Sequence, residues 1–120
     1  MFQRAVPMLH VPDVRAAAEW YAQLGFEIVR THSDDDEMSW ALLRCGSTEL
    51  MFNEGGKESD AHRREVDLYV YVDDVDALAA RLEGRVEVVE PLYDAIYGMR
   101  EIIIRDLNRF WITFGQPIEE

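Results

Sequence analysis

The chain has 120 residues, enough for one core that buries roughly two thirds of the surface its unfolded form exposes, whereas two isolated units of about 60 residues would each be marginal. Its 24 acidic against 12 basic residues give a formal charge of −12, a field that repels nucleic-acid phosphates and anionic membrane surfaces and draws in cations. A single cysteine, Cys45, excludes an internal disulfide and fits a reducing, cytoplasmic setting; no apolar stretch approaches the roughly 20 residues a bilayer crossing requires.

In chain order, Val6, Met8 and His10 alternate onto one strand face and lead to Asp13, placed to cap a helix whose first-turn N–H groups need an acceptor. Ala16, Ala17, Trp20, Tyr21 and Leu24 follow at helical spacing, and Gly25 is the natural stop. Three strand-like segments come next, Phe26 to Thr31, Met38 to Arg44 and Thr48 to Asn53, with the acidic run Asp34 to Glu37 as a solvated hairpin tip and Cys45-Gly46-Ser47 as a tight turn. The stretch Glu54 to Glu65, with its two glycines and a run of charges, reads as a mobile connection.

Then the pattern returns. Val72-Asp73-Asp74-Val75 repeats Val11-Pro12-Asp13-Val14 at a displacement of 61 residues. Asp67, Tyr69 and Tyr71 share the strand face before it; Val75, Leu78, Ala79 and Leu82 mark the helix, and Gly84 its stop. Arg85 to Glu90, Arg100 to Arg105 and Phe110 to Phe114 are the strands, with Asp106 to Arg109 as a turn in which Asn108 tolerates a left-handed backbone. Each half therefore reads as βαβββ. The class is α+β: one domain over residues 1–120 built from two repeats, about 4–54 and 65–115, joined by 55–64, whose open, curled mixed sheets enclose a shared interior.

The opening Val6-Pro7-Met8-Leu9-His10-Val11-Pro12-Asp13-Val14, with Trp20-Tyr21, Leu24-Gly25-Phe26, Tyr97-Gly98-Met99-Arg100-Glu101 and the close from Asp106 to Gly115, resembles the vicinal oxygen chelate superfamily of glyoxalase I, extradiol dioxygenases and bleomycin resistance proteins. The resemblance spans about residues 5 to 115 and implies a cup formed by the two modules, with a divalent ion on its floor in metal-dependent members. The ligand positions it implies fall on Val6, Glu49, Asp67 and Thr113, of which only Glu49 keeps the family's ligand residue type. A hydrocarbon such as Val6 donates nothing to a metal. No metal and no other cofactor is therefore expected, and His10 is read as a hydrogen-bonded residue lining the cup, with His32 and His62 solvated.

Bleomycin resistance proteins, which bind a drug without transforming it, are then the nearest functional comparison. The chain is expected to sequester a cationic or amphipathic organic ligand between its modules, held by stacking and cation–π contacts with Trp40, Tyr69, Tyr71, Tyr97 and Trp111, with Glu49 and Asp67 as counter-charges and His10 beside them. The alternative is a metal-dependent lyase or dioxygenase of the glyoxalase type with an altered site. Elsewhere there is no nucleophile elbow, phosphate-binding glycine loop or Cys-x-x-Cys pair, and Arg100 and Glu101 alternate to opposite strand faces, so a non-enzyme is favoured. Open module edges and small halves imply a homodimer.

Overall fold

A computed structural model describes residues 1–118; Glu119 and Glu120, within the span read from the sequence, lie outside the described residues. The chain divides into two units, Met1–Ser59 and Asp60 onward.

In the first unit, strand β1 (Met8–His10) is followed by helix α1 (Val14–Leu24) and strands β2 (Glu27–Asp34), β3 (Glu37–Cys45) and β4 (Thr48–Asn53). Asp13 keeps an extended backbone and its Oδ1 accepts the N–H of Ala16 at 3.0 Å, so the cap forms as its side-chain chemistry requires. At the other end Gly25 turns left-handed, φ +116°, and its N–H closes on the carbonyl of Ala22. The strand order is β1-β4-β3-β2, with β1 parallel to β4 and the remaining neighbours antiparallel. Helix α1 lies on β3 and β4, and its buried stripe of Val14, Ala17, Ala18, Tyr21 and Leu24 meets Leu9, Ala41, Leu43, Leu50 and Phe52. Tyr21 is fully buried, edge-on to Phe26 at 5.3 Å and tilted against Phe52 at 4.9 Å, a cluster of large rings in which each buried side chain stabilises the fold by about 1.5–3 kcal/mol. The β2–β3 hairpin turns at Asp35 and Asp36, both with positive φ, and its acidic tip is exposed as expected.

The second unit repeats the plan: β5 (Leu68–Tyr71), α2 (Val75–Leu82), β6 (Glu87–Asp94), β7 (Met99–Arg105) and β8 (Trp111–Pro117), ordered β5-β8-β7-β6 with β5 parallel to β8. Asp74 caps α2 by accepting from Ala77 at 3.0 Å, the counterpart of Asp13. The helix packs on β7 and β8, whose inward residues Ile102, Ile104, Ile112 and Phe114 are buried. Both units are thus α+β, four-stranded open mixed sheets each with one covered face, in two βαβββ modules.

Three details depart from the sequence reading. Strand β6 runs past the expected end at Glu90 to Asp94, with register irregularities between Val88 and Glu90 and between Glu90 and Tyr93 that accommodate Pro91. In the Asp106 to Arg109 turn the left-handed residue is Arg109, φ +74°, rather than Asn108. Asp106 Oδ1 accepts the N–H groups of both Asn108 and Phe110, which fixes the intervening backbone and passes the positive φ to Arg109. Finally, the segment expected to be a mobile connection is bound down at both ends. Gly56 N–H meets the carbonyl of Val11, and a Cβ at that glycine would lie 2.2 Å from the carbonyl oxygen of His10. Further on, Ala61 and His62 are held on the β7–β8 turn by Arg109 Nε to Ala61 O at 2.6 Å, and by Arg105 Nε and Trp111 Nε1 to His62 O at 3.0 Å each.

Candidate functional site

Each sheet has one face under its helix and one face free of it, and the predicted site residues sort onto the second. In the first unit, register pairs His10 with Asn53, Trp40 with Asn53 and Arg44 with Glu49, so strand alternation sets His10, Trp40 and Glu49 on the face opposite α1. His10 Nδ1 lies 3.0 Å from the carbonyl oxygen of Glu54, the hydrogen-bonded state expected of it. Glu49, with a side chain only 9% exposed, is not an idle counter-charge. Arg4 contacts its Oε1 and Arg44 approaches its Oε2 at 3.5 Å. On this sheet the buried carboxylate already has its cations.

In the second unit Asp67 is similarly occupied, paired side-on with both Nε and Nη2 of Arg63, the nearby partner that spares it the cost of a bare inward charge. Trp111 is covered: the Arg63 guanidinium stacks over its ring at 4.2 Å and His62 meets it edge-on at 5.4 Å. His62 is exposed yet engaged, its Nδ1 3.0 Å from Arg105, where a purely solvated ring was expected. As walls or counter-charges, Trp111 and Asp67 are thus committed to holding the Ala61–Arg64 segment.

The remaining predicted residues converge on a group that the sequence reading did not single out. Glu101, on β7, is 1% exposed. Tyr69 and Tyr97 each donate a hydroxyl hydrogen bond to its Oε2 at 2.6 Å, and Tyr93 donates to Oε1. Tyr71 completes the set, its ring 5.1 Å from that of Tyr69. The strands dictate this meeting. Glu101 stands opposite Tyr93 on β6 and opposite Gly115 on β8, and Tyr71 is the partner of Gly115 on β5. Because Gly115 has no side chain, the Tyr69 phenol crosses above it to reach Glu101; a Cβ there would lie 2.0 Å from the Tyr69 hydroxyl and 2.7 Å from Cζ. Tyr97 arrives from the β6–β7 turn, closed by Ala95 N–H to Met99 O at 2.7 Å with Gly98 left-handed at φ +86°.

The electrostatics follow from that geometry. Burial by itself would push the Glu101 carboxyl up, but three phenol hydrogen bonds outweigh it and hold the group below its ordinary value. Tyr69 and Tyr93 are pushed up, by burial first and then by donating to Glu101. At neutral pH the cluster is therefore a carboxylate among neutral phenols. No basic side chain among the described residues pairs with Glu101, in contrast to Glu49 and Asp67. Its neighbour Arg100 points to the opposite face and pairs with Asp76 and Asp94, as strand alternation requires. Such an anion, met by phenol hydroxyls whose aromatic rings lie around it, can hold an organic cation; being fixed in its charged form, it is a poor proton donor.

The metal-binding positions implied by the resemblance do not fit a metal. Val6 has no donor atom, Thr113 offers only a hydroxyl, and Glu49 and Asp67 are each spent on arginines of their own unit. Among the described residues no group of three or more His, Cys, Asp or Glu side chains is placed to hold an ion. Cys45 is half-buried and burial raises its thiol pKa, which keeps it out of the reactive thiolate form. Among the described residues no helix is long and apolar enough to cross a membrane.

Paired βαβββ modules with these open sheets define the glyoxalase/bleomycin resistance fold. The chain belongs to the Glyoxalase/Bleomycin resistance protein/Dioxygenase superfamily, whose family model matches residues 4–114. Among solved structures, TioX from Micromonospora sp. ML1 is 23% identical, with 98% of this chain and all of that one covered and a TM-score of 0.80. A bleomycin resistance determinant encoded on the transposon Tn5 is 20% identical over 97% of this chain and 98% of that one, with a TM-score of 0.73. A bleomycin-binding protein solved in complex with bleomycin is 18% identical over 96% and 98% of the two chains, with a TM-score of 0.70. At these identities the likeness is one of fold. Among curated protein sequences none matches.

Proposed function

We propose that the protein is a metal-independent binding module that sequesters a small cationic or amphipathic organic molecule, on the helix-free sheet face of its second unit. The observation that carries this reading is the Glu101 cluster: a buried carboxylate stabilised by neutral phenols alone, with the ring of a fourth tyrosine tilted against that of Tyr69. Aromatic faces supply stacking and cation–π attraction and the carboxylate supplies opposing charge, the combination a flat cation selects. The net charge of −12 draws such ligands toward the surface, and the fold likeness to a protein crystallised with bleomycin supports a small-molecule role. Of the residues expected from sequence, Tyr69, Tyr71 and Tyr97 belong to the proposed site; Glu49, Asp67 and Trp111 serve the scaffold, and His10 and Trp40 stand on the other unit's sheet.

Calorimetric titration of the full chain with bleomycin and with simple cationic aromatic dyes tests the reading. Saturable binding at micromolar concentration is expected for at least one cationic compound. Uniform absence of heat up to millimolar concentration overturns it.

A further inference from the structure

Three donors serve Glu101, and they are not equally fixed. Tyr69 is held by its ring contact with Tyr71 and by the clearance above Gly115, and Tyr93 is a half-buried strand residue directly opposite Glu101. Tyr97 differs. It sits on the four-residue turn from Ala95 to Gly98 and is 65% exposed against 41% for Tyr69, with the fully exposed Ile96 beside it. Its hydroxyl, bonded to Oε2 and interacting with the Tyr93 phenol, is what anchors it.

Resting on the binding reading above, we infer that Glu101 is the recognition centre for an organic cation bearing at least one N–H, and that Tyr97 is the resident donor which that N–H displaces. Three donors enclose the carboxylate and leave Glu101 only 1% exposed, so an incoming donor reaches it most directly where Tyr97, the 65% exposed member, now stands. The phenol bond is already charge-assisted through the carboxylate, and a charged N–H donor adds to it the direct attraction of opposite charges in a partly buried site. With no arginine or lysine on Glu101, nothing else within the cluster neutralises the charge. The ligand class is therefore a protonated amine, amidinium or guanidinium attached to a flat apolar body that lies on Tyr69 and Tyr71. A quaternary ammonium, lacking the N–H, reaches the π faces but cannot replace the phenol.

The test compares three ring compounds of one shape at neutral pH: 9-aminoacridine, which is protonated and carries N–H donors; N-methylacridinium, which is charged without them; and acridine, which is neutral. Binding is followed by dye fluorescence for the full chain, for Glu101→Gln and for Tyr97→Phe. The unsubstituted protein is expected to favour 9-aminoacridine over N-methylacridinium by about tenfold or more, the scale of one charge-assisted hydrogen bond. Glu101→Gln removes that preference and lowers the affinity of 9-aminoacridine relative to acridine. Tyr97→Phe raises the preference for 9-aminoacridine over acridine severalfold, an effect that a merely structural Tyr97 would not produce. Equal binding of the two cations by the unsubstituted protein overturns the inference while leaving the wider binding reading standing, and so does a Tyr97→Phe variant that loses all three dyes alike. If none of the three binds, the inference falls, and the wider reading falls with it when the titration with bleomycin is silent too. The comparison of dyes on the unsubstituted protein decides the matter even if Glu101→Gln fails to fold.

Discussion

The two sheets have one topology and opposite electrostatics. On the first, the buried carboxylate Glu49 is matched by Arg4 and Arg44, and its charge is consumed within the scaffold. On the second, Glu101 is stabilised by three neutral hydroxyls and keeps its net charge. A duplicated fold can thus assign one copy's free face to packing and the other's to recognition, and the difference rests on which donors surround the acid rather than on the backbone. The contrast extends to Asn53 and Gly115, the β4 and β8 residues that pair with the corresponding strand positions His10 and Tyr71: one tolerates a side chain, the other does not.

That last pair offers the sharpest way to break the comparison. Gly115→Ala must expel the Tyr69 phenol, and a loss of about 1–3 kcal/mol in urea unfolding is expected, the usual cost of overpacking. Asn53→Ala, at the matching site, should stay within about 0.5 kcal/mol. Equal effects would erase the distinction between the sheets. Next in size, Tyr93→Phe deprives Glu101 of the donor on Oε1 and is expected to cost about 1–2 kcal/mol by the same measurement.

pH sharpens the contrast from another side. The folded Glu101 carboxyl lies below its ordinary value of 4.5, so it contributes stability above that pH and the contribution fades as pH falls through the folded value. Unfolding free energies measured across the acid range should therefore slope less steeply for Glu101→Gln than for the unsubstituted chain. At the alkaline end Tyr69 and Tyr93 are raised above the ordinary phenol value of 10.0, so their contribution is intact below about that pH and is lost as pH rises toward the folded values. Ultraviolet titration should show three late-ionising tyrosines, of which Tyr69 and Tyr93 shift back only in part in Glu101→Gln, because burial is their first cause, and Tyr97 more fully, because the bond to Glu101 is its first. Smallest of all, Arg44→Ala should change stability by at most about 1 kcal/mol, since the guanidinium is 45% exposed and its pair with Glu49 is long and screened.

Much of the scaffold was legible in the sequence. Asp13, Asp74 and Gly25 announce helix ends through chemistry that acts over three or four residues, and both helices follow. Strand β6 extends beyond the expected Arg85 to Glu90 because the chain absorbs Pro91 in an irregular register and so carries Tyr93 to its place opposite Glu101. Alternation did place Arg100 and Glu101 on opposite faces. It could not say which acid would be neutralised by arginines, because Arg4 reaches Glu49 from the stretch before β1, adding to its hairpin neighbour Arg44, while the tyrosines reach Glu101 from three different elements. The glycine that permits the Tyr69 crossing was visible only as an interruption near the end of the last strand, a signal whose meaning depends on its cross-strand neighbour.

The binding-down of Ala61 to Arg64 has a practical corollary for anyone dividing the protein. Arg105, Arg109 and Trp111 reach back to this stretch, Arg64 returns a bond to the carbonyl of Asn108, and its guanidinium covers Phe110. A fragment started at Glu65, where the repeat begins on paper, would strip these groups of their partners and bare two aromatic rings. Started at Asp60, the same fragment would carry its own clasp.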